Sequence, residues 1–148
     1  MQLNIKKLHE DAIVPTYATT GSACFDLYAV EVEENTRLIN GKPQTFRTGL
    51  SFEIPAGYVM LVFSRSGHGF TYSTRLSNCV GIIDSDYRGE VMVRLIRDTD
   101  STTSPNFFNS GDRIAQAMLL PIEQVAFTVV DELTETERAD GGFGSSGA

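Results

Sequence analysis

At 148 residues, 41% of them hydrophobic and 21% charged, the chain has the make-up of one globular domain, long enough to bury roughly two thirds of the surface its unfolded form exposes. A formal net charge of −7 sets the overall field against a long phosphate backbone and so against nucleic acid, while leaving room for a small phosphorylated ligand neutralised locally by arginines, glycine N–H groups or a divalent cation. No membrane partner is expected either: the longest apolar run, Tyr58 to Phe63, falls far short of a membrane span, and Met1-Gln2-Leu3-Asn4-Ile5-Lys6-Lys7 is too polar for a signal peptide.

In chain order, the runs enriched in β-branched and aromatic residues are Leu3 to Leu8, Ala23 to Val30, Thr45 to Ile54, Tyr58 to Phe63, Ser77 to Ile83, Glu90 to Ile96, Arg113 to Ile122 and Gln124 to Val130. Turn-forming clusters such as Asn40-Gly41-Lys42-Pro43, Pro55-Ala56-Gly57 and Asn109-Ser110-Gly111-Asp112 separate them. Repeated short strands of this kind predict an all-β antiparallel sandwich or barrel. Arg65 to Thr74 has room for a helical turn or two, and Thr99 to Ser110 reads as an exposed loop. Cys24 and Cys79 lie in apolar runs outside any Cys-x-x-Cys spacing, and with only His9 and His68 beside them there is no zinc set. They read as buried free thiols of a soluble, intracellular, cytoplasmic protein. Residues 1–138 are expected to form the domain. Residues 139–148, rich in glycine and serine, are expected to stay a flexible tail, because ordering them costs more chain entropy than they can recover alone.

Polar groups collect at the ends of these strands. Asp26 stands inside a run that otherwise reads as core, and a buried charge needs a partner. Ser64-Arg65-Ser66-Gly67 offers a guanidinium, hydroxyls and free N–H groups suited to phosphate oxygens, although such stretches also occur in many loops of no function. Cys79 to Ile83 and Val91 to Ile96 flank Asp84-Ser85-Asp86-Tyr87-Arg88-Gly89, the composition of a hairpin loop. Two carboxylates, an aromatic ring and a guanidinium crowd the mouth of an arm whose backbone Gly81 leaves uncovered. A flat ligand lying there would have its edge read by main-chain groups, with Asp84 placed to deprotonate a water; a solvated turn with a surface ion pair is the plainer reading. Gly111-Asp112-Arg113-Ile114-Ala115-Gln116 opens another strand, in which Arg113 reads as an ion-pair member and Gln116 is ambiguous. Arg138 precedes Gly141-Gly142-Phe143-Gly144-Ser145-Ser146, whose lone aromatic suits either a lid or a disordered end.

Together and in order, these five stretches resemble the five sequence motifs of the trimeric deoxyuridine triphosphatase (dUTPase) family, with Gly-Ile-Ile-Asp-Ser-Asp-Tyr-Arg-Gly and Gly-Phe-Gly-Ser-Ser-Gly the most specific. The resemblance implies a jelly-roll-like distorted β-barrel or sandwich and a homotrimer with active sites at subunit contacts. It implies Mg²⁺-dependent cleavage of dUTP to dUMP and pyrophosphate, which limits uracil incorporation into DNA and supplies dUMP for thymidylate synthesis. Residue by residue, Asp84 matches the family's catalytic carboxylate, and Tyr87 the aromatic under the deoxyribose that excludes a 2′-hydroxyl. Asn78, Gly81, Ile82 and Ile83 match the uracil-reading arm, with Met92 on the returning strand. Arg65, Ser66, Gly67 and Gln116 match phosphate contacts, and Asp26 the carboxylate that holds the water shell of a Mg²⁺ bound by the triphosphate. Arg138, Phe143, Gly144, Ser145 and Ser146 match the tail that closes over the nucleotide. Departures are Cys24 and Ala139 where relatives usually carry glycine, Ser64 for a frequent proline, and His68 for a frequent aliphatic residue; a glycine at such positions often serves a positive φ. Two other classes stay open: a dCTP deaminase-like enzyme of related fold, and a nucleotide-sensing regulator that binds other proteins.

Overall fold

The computed structural model describes residues 1–98 and 107–142. Its eleven short strands follow the apolar runs: β1 (Asn4–Lys7), β2 (Phe25–Tyr28), β3 (Thr36–Arg37), β4 (Gln44–Arg47), β5 (Leu50–Glu53), β6 (Tyr58–Phe63), β7 (Thr74–Leu76), β8 (Val80–Ile83), β9 (Met92–Arg97), β10 (Phe107–Phe108) and β11 (Arg113–Pro121). One short helix, α1 (Ser66–Tyr72), occupies the stretch with room for a helical turn or two. The strands pair antiparallel in four open sheets ordered β2-β11-β6-β8, β4-β9-β7, β1-β5 and β10-β3. The result is a jelly-roll-like β fold, as expected, but no closed barrel forms among the described residues.

Alternation of side chains across the pleat builds the core. In β2, Phe25 and Leu27 are buried while Asp26 and Tyr28 are half-buried; in β9, Val93, Leu95 and Arg97 are buried and Met92 and Arg94 exposed. Phe25, Leu27, Val93 and Leu95 pack with Phe46, Phe52, Met60 and Ile114. Burying each such side chain stabilises the fold by roughly 1.5–3 kcal/mol before chain entropy is counted.

Two expected strands are interrupted, one split in two and the other cut short at its start, each at a residue of positive φ. The run Thr45 to Ile54 divides at Gly49, whose φ is +66° and whose Cβ, if it had one, would stand 2.9 Å from the Cβ atoms of both Ala12 and His9. The chain turns there from the β4 sheet into the β1-β5 pair. The run Ser77 to Ile83 is a strand only from Val80 onward, because at Cys79 φ is +65° and Val80 N–H donates to Asn78 O at 2.7 Å, closing a three-residue turn. The chain so leaves β7, in the three-stranded sheet, for β8, at the edge of the four-stranded one.

Other expectations need correction. Gln124 to Val130 forms no strand: the whole segment is exposed, Phe127 to 93% and Val129 to 99%, and no strand among the described residues pairs with it. Part of the expected loop Thr99 to Ser110 is a strand, since Phe107–Phe108 pairs with β3 and Phe108 enters the core; residues 99–106 lie outside the described residues. The thiols are free, but they are not buried as expected: Cys24 is half-buried and Cys79, on its turn, is exposed.

Candidate active site

Two groups of polar side chains form on different parts of the chain. The first arises where three strands lie side by side. The register of β2, β11 and β6 sets Asp26, Gln116 and Phe63 in one row, and Ser64 and Arg65 follow directly on Phe63. Asp26, its side chain only 13% exposed, has the partners a buried charge requires: Arg65 Nε donates to Oδ1 at 3.0 Å and Arg113 Nη1 to Oδ2 at 3.4 Å. Gln116 Nε2 donates to Ser64 O at 2.9 Å, which pins the start of the turn. Ser66 and Gly67 are exposed in the first turn of α1, beside Arg65. The sequence-predicted Asp26, Arg65, Ser66, Gly67 and Gln116 are therefore neighbours.

The second group lies along the loop between β8 and β9. This loop was expected to be a hairpin, yet its arms are not laddered to one another: β8 pairs with β6, and β9 with β4 and β7. The outer edge of β8 therefore carries main-chain groups without a strand partner among the described residues. A cleft of 350 Å³ opens against it, lined by Asn78, Gly81, Ile82, Ile83, Met92 and Arg94 together with Val62 and Leu76 beneath. Gly81 keeps its floor open, since a Cβ there would point at Val62, 3.1 Å away. Asn78 Nδ2 donates to Val80 O at 3.2 Å. A contiguous hollow of 270 Å³ shares Ile82, Ile83 and Met92 and adds Asp84, Tyr87 and Glu90. Asn78, Gly81, Ile82, Ile83, Asp84, Tyr87 and Met92 thus line one connected groove, whereas Asp86 and Arg88 of the same loop line neither hollow.

The loop is clamped to the β4–β5 turn. Glu90, just past Tyr87 and Gly89, accepts Arg47 Nη2 and Nε at 3.0 Å on Oε2, and Gly49 N–H at 2.8 Å on Oε1. Arg47 also pairs with Glu31, which meets His9 Nε2 at 3.1 Å. Ser51 Oγ donates to Arg88 O at 2.7 Å, and Thr48 Oγ1 to Val91 O at 2.6 Å. Sequence reasoning missed this set, whose partners lie some forty residues apart along the chain.

Arg138 joins neither group: it is exposed, and its Nε donates to Gly141 O at 2.8 Å within a turn at Ala139. Ala139 does occupy a positive φ, +46°, whereas Cys24 does not. Phe143, Gly144, Ser145 and Ser146 lie outside the described residues. Burial, then the charge of Asp26, pushes the Cys24 thiol up, which keeps it protonated. Among the described residues, the four clefts beside these side chains are each lined by one group only.

His68 packs its ring edge-on against Phe108, 5.4 Å between centroids. Burial, seconded by the Arg65 guanidinium, lowers it from 6.5 to about 4, so it is neutral at pH 7. The unfolded chain takes up this proton near pH 6.5 and the folded chain only near 4. The contribution of the neutral ring is therefore complete above the higher value and lost as pH falls through the window. His68→Leu is expected to flatten the fall in thermal midpoint between pH 6.5 and 4; parallel midpoint curves for the two proteins would show the imidazole to be solvated.

Among the described residues, no three His, Cys, Asp or Glu side chains gather as a cage for a metal ion. Asp26 nevertheless fits a hydrated divalent cation. Two of its roughly four lone-pair directions are taken by guanidiniums, and the others can accept hydrogen bonds from metal-bound water but not displace the arginines.

Fold and clefts define a small jelly-roll-like β protein whose polar side chains gather at strand ends and along one splayed loop. Within that class the chain belongs to the dUTPase family, whose model matches residues 10–147. It is 41% identical over 147 residues to the deoxyuridine 5′-triphosphate nucleotidohydrolase of Nautilia profundicola, covering 99% of both chains. It is 42% identical over 150 residues to that of Helicobacter hepaticus, covering 99% of this chain and 89% of the relative. In fold it is similar to a mutant Staphylococcus bacteriophage 80alpha dUTPase solved with dUpNHpp, with a TM-score of 0.86 at 24% identity over 99% of each chain.

Proposed function

We propose that the chain hydrolyses dUTP to dUMP and pyrophosphate, with Mg²⁺, as a homotrimer. The observation that carries the reading is the groove along β8, where Asn78, Gly81, Ile82, Ile83 and Met92 meet an unladdered main-chain edge with Asp84 and Tyr87 at its mouth. Uracil's edge alternates acceptors and a donor. A strand edge offers N–H and C=O groups in a fixed order, so it pairs with that pattern and opposes cytosine's, at roughly 1–3 kcal/mol for each buried group left unmatched. Tyr87 lies under the deoxyribose and leaves no room for a 2′-hydroxyl. Asp84 takes a proton from a water in line with the α-phosphorus; the new P–O bond forms as the α–β bridging bond breaks, and pyrophosphate leaves.

Arg65, Ser66, Gly67 and the free donor of Gln116 hold phosphate oxygens, with Arg65 aimed by Asp26. Asp26 would hold the water shell of a Mg²⁺ ion, which would supply charge neutralisation on the phosphates. The two groups line separate clefts in one subunit, which supports a site completed between subunits; the exposed, alternating Val125, Phe127 and Val129 support an arm that pairs with a neighbouring copy. Arg138, Phe143, Gly144, Ser145 and Ser146 then close over the nucleotide.

Incubation with each deoxynucleoside triphosphate and Mg²⁺, following pyrophosphate and ammonia together, tests this. Only dUTP is expected to turn over quickly. Comparable pyrophosphate release from dCTP or dTTP would remove the assignment of the groove, and ammonia from dCTP would make the protein a deaminase.

A further inference from the structure

The ring of Tyr87 lies where a side chain on Gly89 would be. An ideal Cβ on Gly89 would stand 2.4 Å from Tyr87 Oη and 2.5 Å from Cζ, closer than real Cβ contacts come, and 3.0 Å from Cε2, tighter than most of them. The backbone does not require glycine there, because the φ of Gly89 lies outside the left-handed region. The demand for glycine comes from the ring alone. At its far end the same ring is tied down, since Tyr87 Oη donates to the main-chain carbonyl of Glu90 at 3.1 Å. That carbonyl is itself fixed, because the carboxylate of Glu90 is held by Arg47 and by the N–H of Gly49.

We propose that Gly89 is a specificity-determining position: with Glu90 it forms a mould that sets where the Tyr87 ring stands, and so sets the selection between deoxyribose and ribose without touching the nucleotide. The inference rests on Tyr87 being the wall beneath the sugar. Alanine at position 89 leaves the backbone where it is and moves the flexible end of one side chain, so its effect falls on selection more than on folding. The carboxylate of Glu90 acts one step further back, as a positioning group for the carbonyl that anchors the ring.

The test compares kcat/KM for dUTP and for UTP, with Mg²⁺, in the full-length protein and in Tyr87→Ala, Gly89→Ala and the double variant. Gly89→Ala is expected to lower the preference for dUTP by about tenfold or more, the scale of a displaced steric wall. Added to Tyr87→Ala it is expected to change that preference by less than about twofold, because no ring remains to be displaced. Wild-type preference in Gly89→Ala overturns the proposal. So does an equal loss in both backgrounds, which would mean that the methyl group acts through the loop backbone. Wild-type preference in Tyr87→Ala would instead overturn the underlying reading of the tyrosine. Should Gly89→Ala fail to fold, Tyr87→Phe keeps the ring and removes only its bond to Glu90. A preference lowered severalfold supports the mould, and an unchanged one overturns it.

Discussion

Replacing Asp84 by asparagine is expected to lower turnover of dUTP by about 10²-fold or more while leaving nucleotide binding almost intact. The amide has the shape of the carboxylate but cannot take a proton from water. The fold gives the substitution little else to disturb: Asp84 is exposed at the mouth of the groove, and its contribution to the turn is main-chain, its carbonyl accepting Tyr87 N–H at 3.2 Å. Single-turnover rates, set beside equilibrium binding of a non-hydrolysable dUTP analogue, separate the two effects. Near-normal turnover would move the base elsewhere. Asp26 would be tested next, although both of its oxygens are already engaged by guanidiniums.

Two truncations are expected to divide the C-terminal segment into an assembling part and a closing part. A chain ending at Glu123 lacks Val125, Phe127 and Val129, whose side chains stand exposed on the subunit. It should sediment as a monomer and lose turnover along with its completed sites. A chain ending at Arg138 keeps the arm, and should sediment at about three times the 16.2 kDa chain mass with an almost unchanged thermal midpoint, yet turn over dUTP far more slowly. Full-rate turnover by the longer truncation would make residues 139–148 spectators. A trimer formed by the shorter one would take assembly away from the arm.

Much of this architecture could be read from residue order, because it depends on local alternation. Tyr58–Phe63 is a strand at the expected bounds, and the lone Asp26 in an apolar run does find arginines. What stayed hidden was non-local. Nothing in Ser77 to Ile83 announces a break at Cys79, since a cysteine in a left-handed turn has no compositional signal. Gln124 to Val130 has the alternation of a strand but no strand partner among the described residues, and alternation cannot tell an internal partner from an external one. Asn78, Gly81, Asp84 and Tyr87 are close in sequence and so were grouped early. Glu90 and Arg47 meet only because β4 and β9 pair in one sheet with Arg47 opposite Met92, and that pairing cannot be seen one segment at a time.

One arm of the groove is laced into the four-stranded sheet and the other into the three-stranded one, so the nucleotide-sized opening is a seam between two sheets. The width of a seam is fixed by what is packed beneath it. Val62 and Leu76 belong to the buried core and also line the opening, so the packing that holds the fold together gauges the gap as well. On the proposed reading of the groove, core volume and ligand affinity become one mechanical property: a methylene removed under the seam is expected to loosen its grip on a flat ring before it threatens folding.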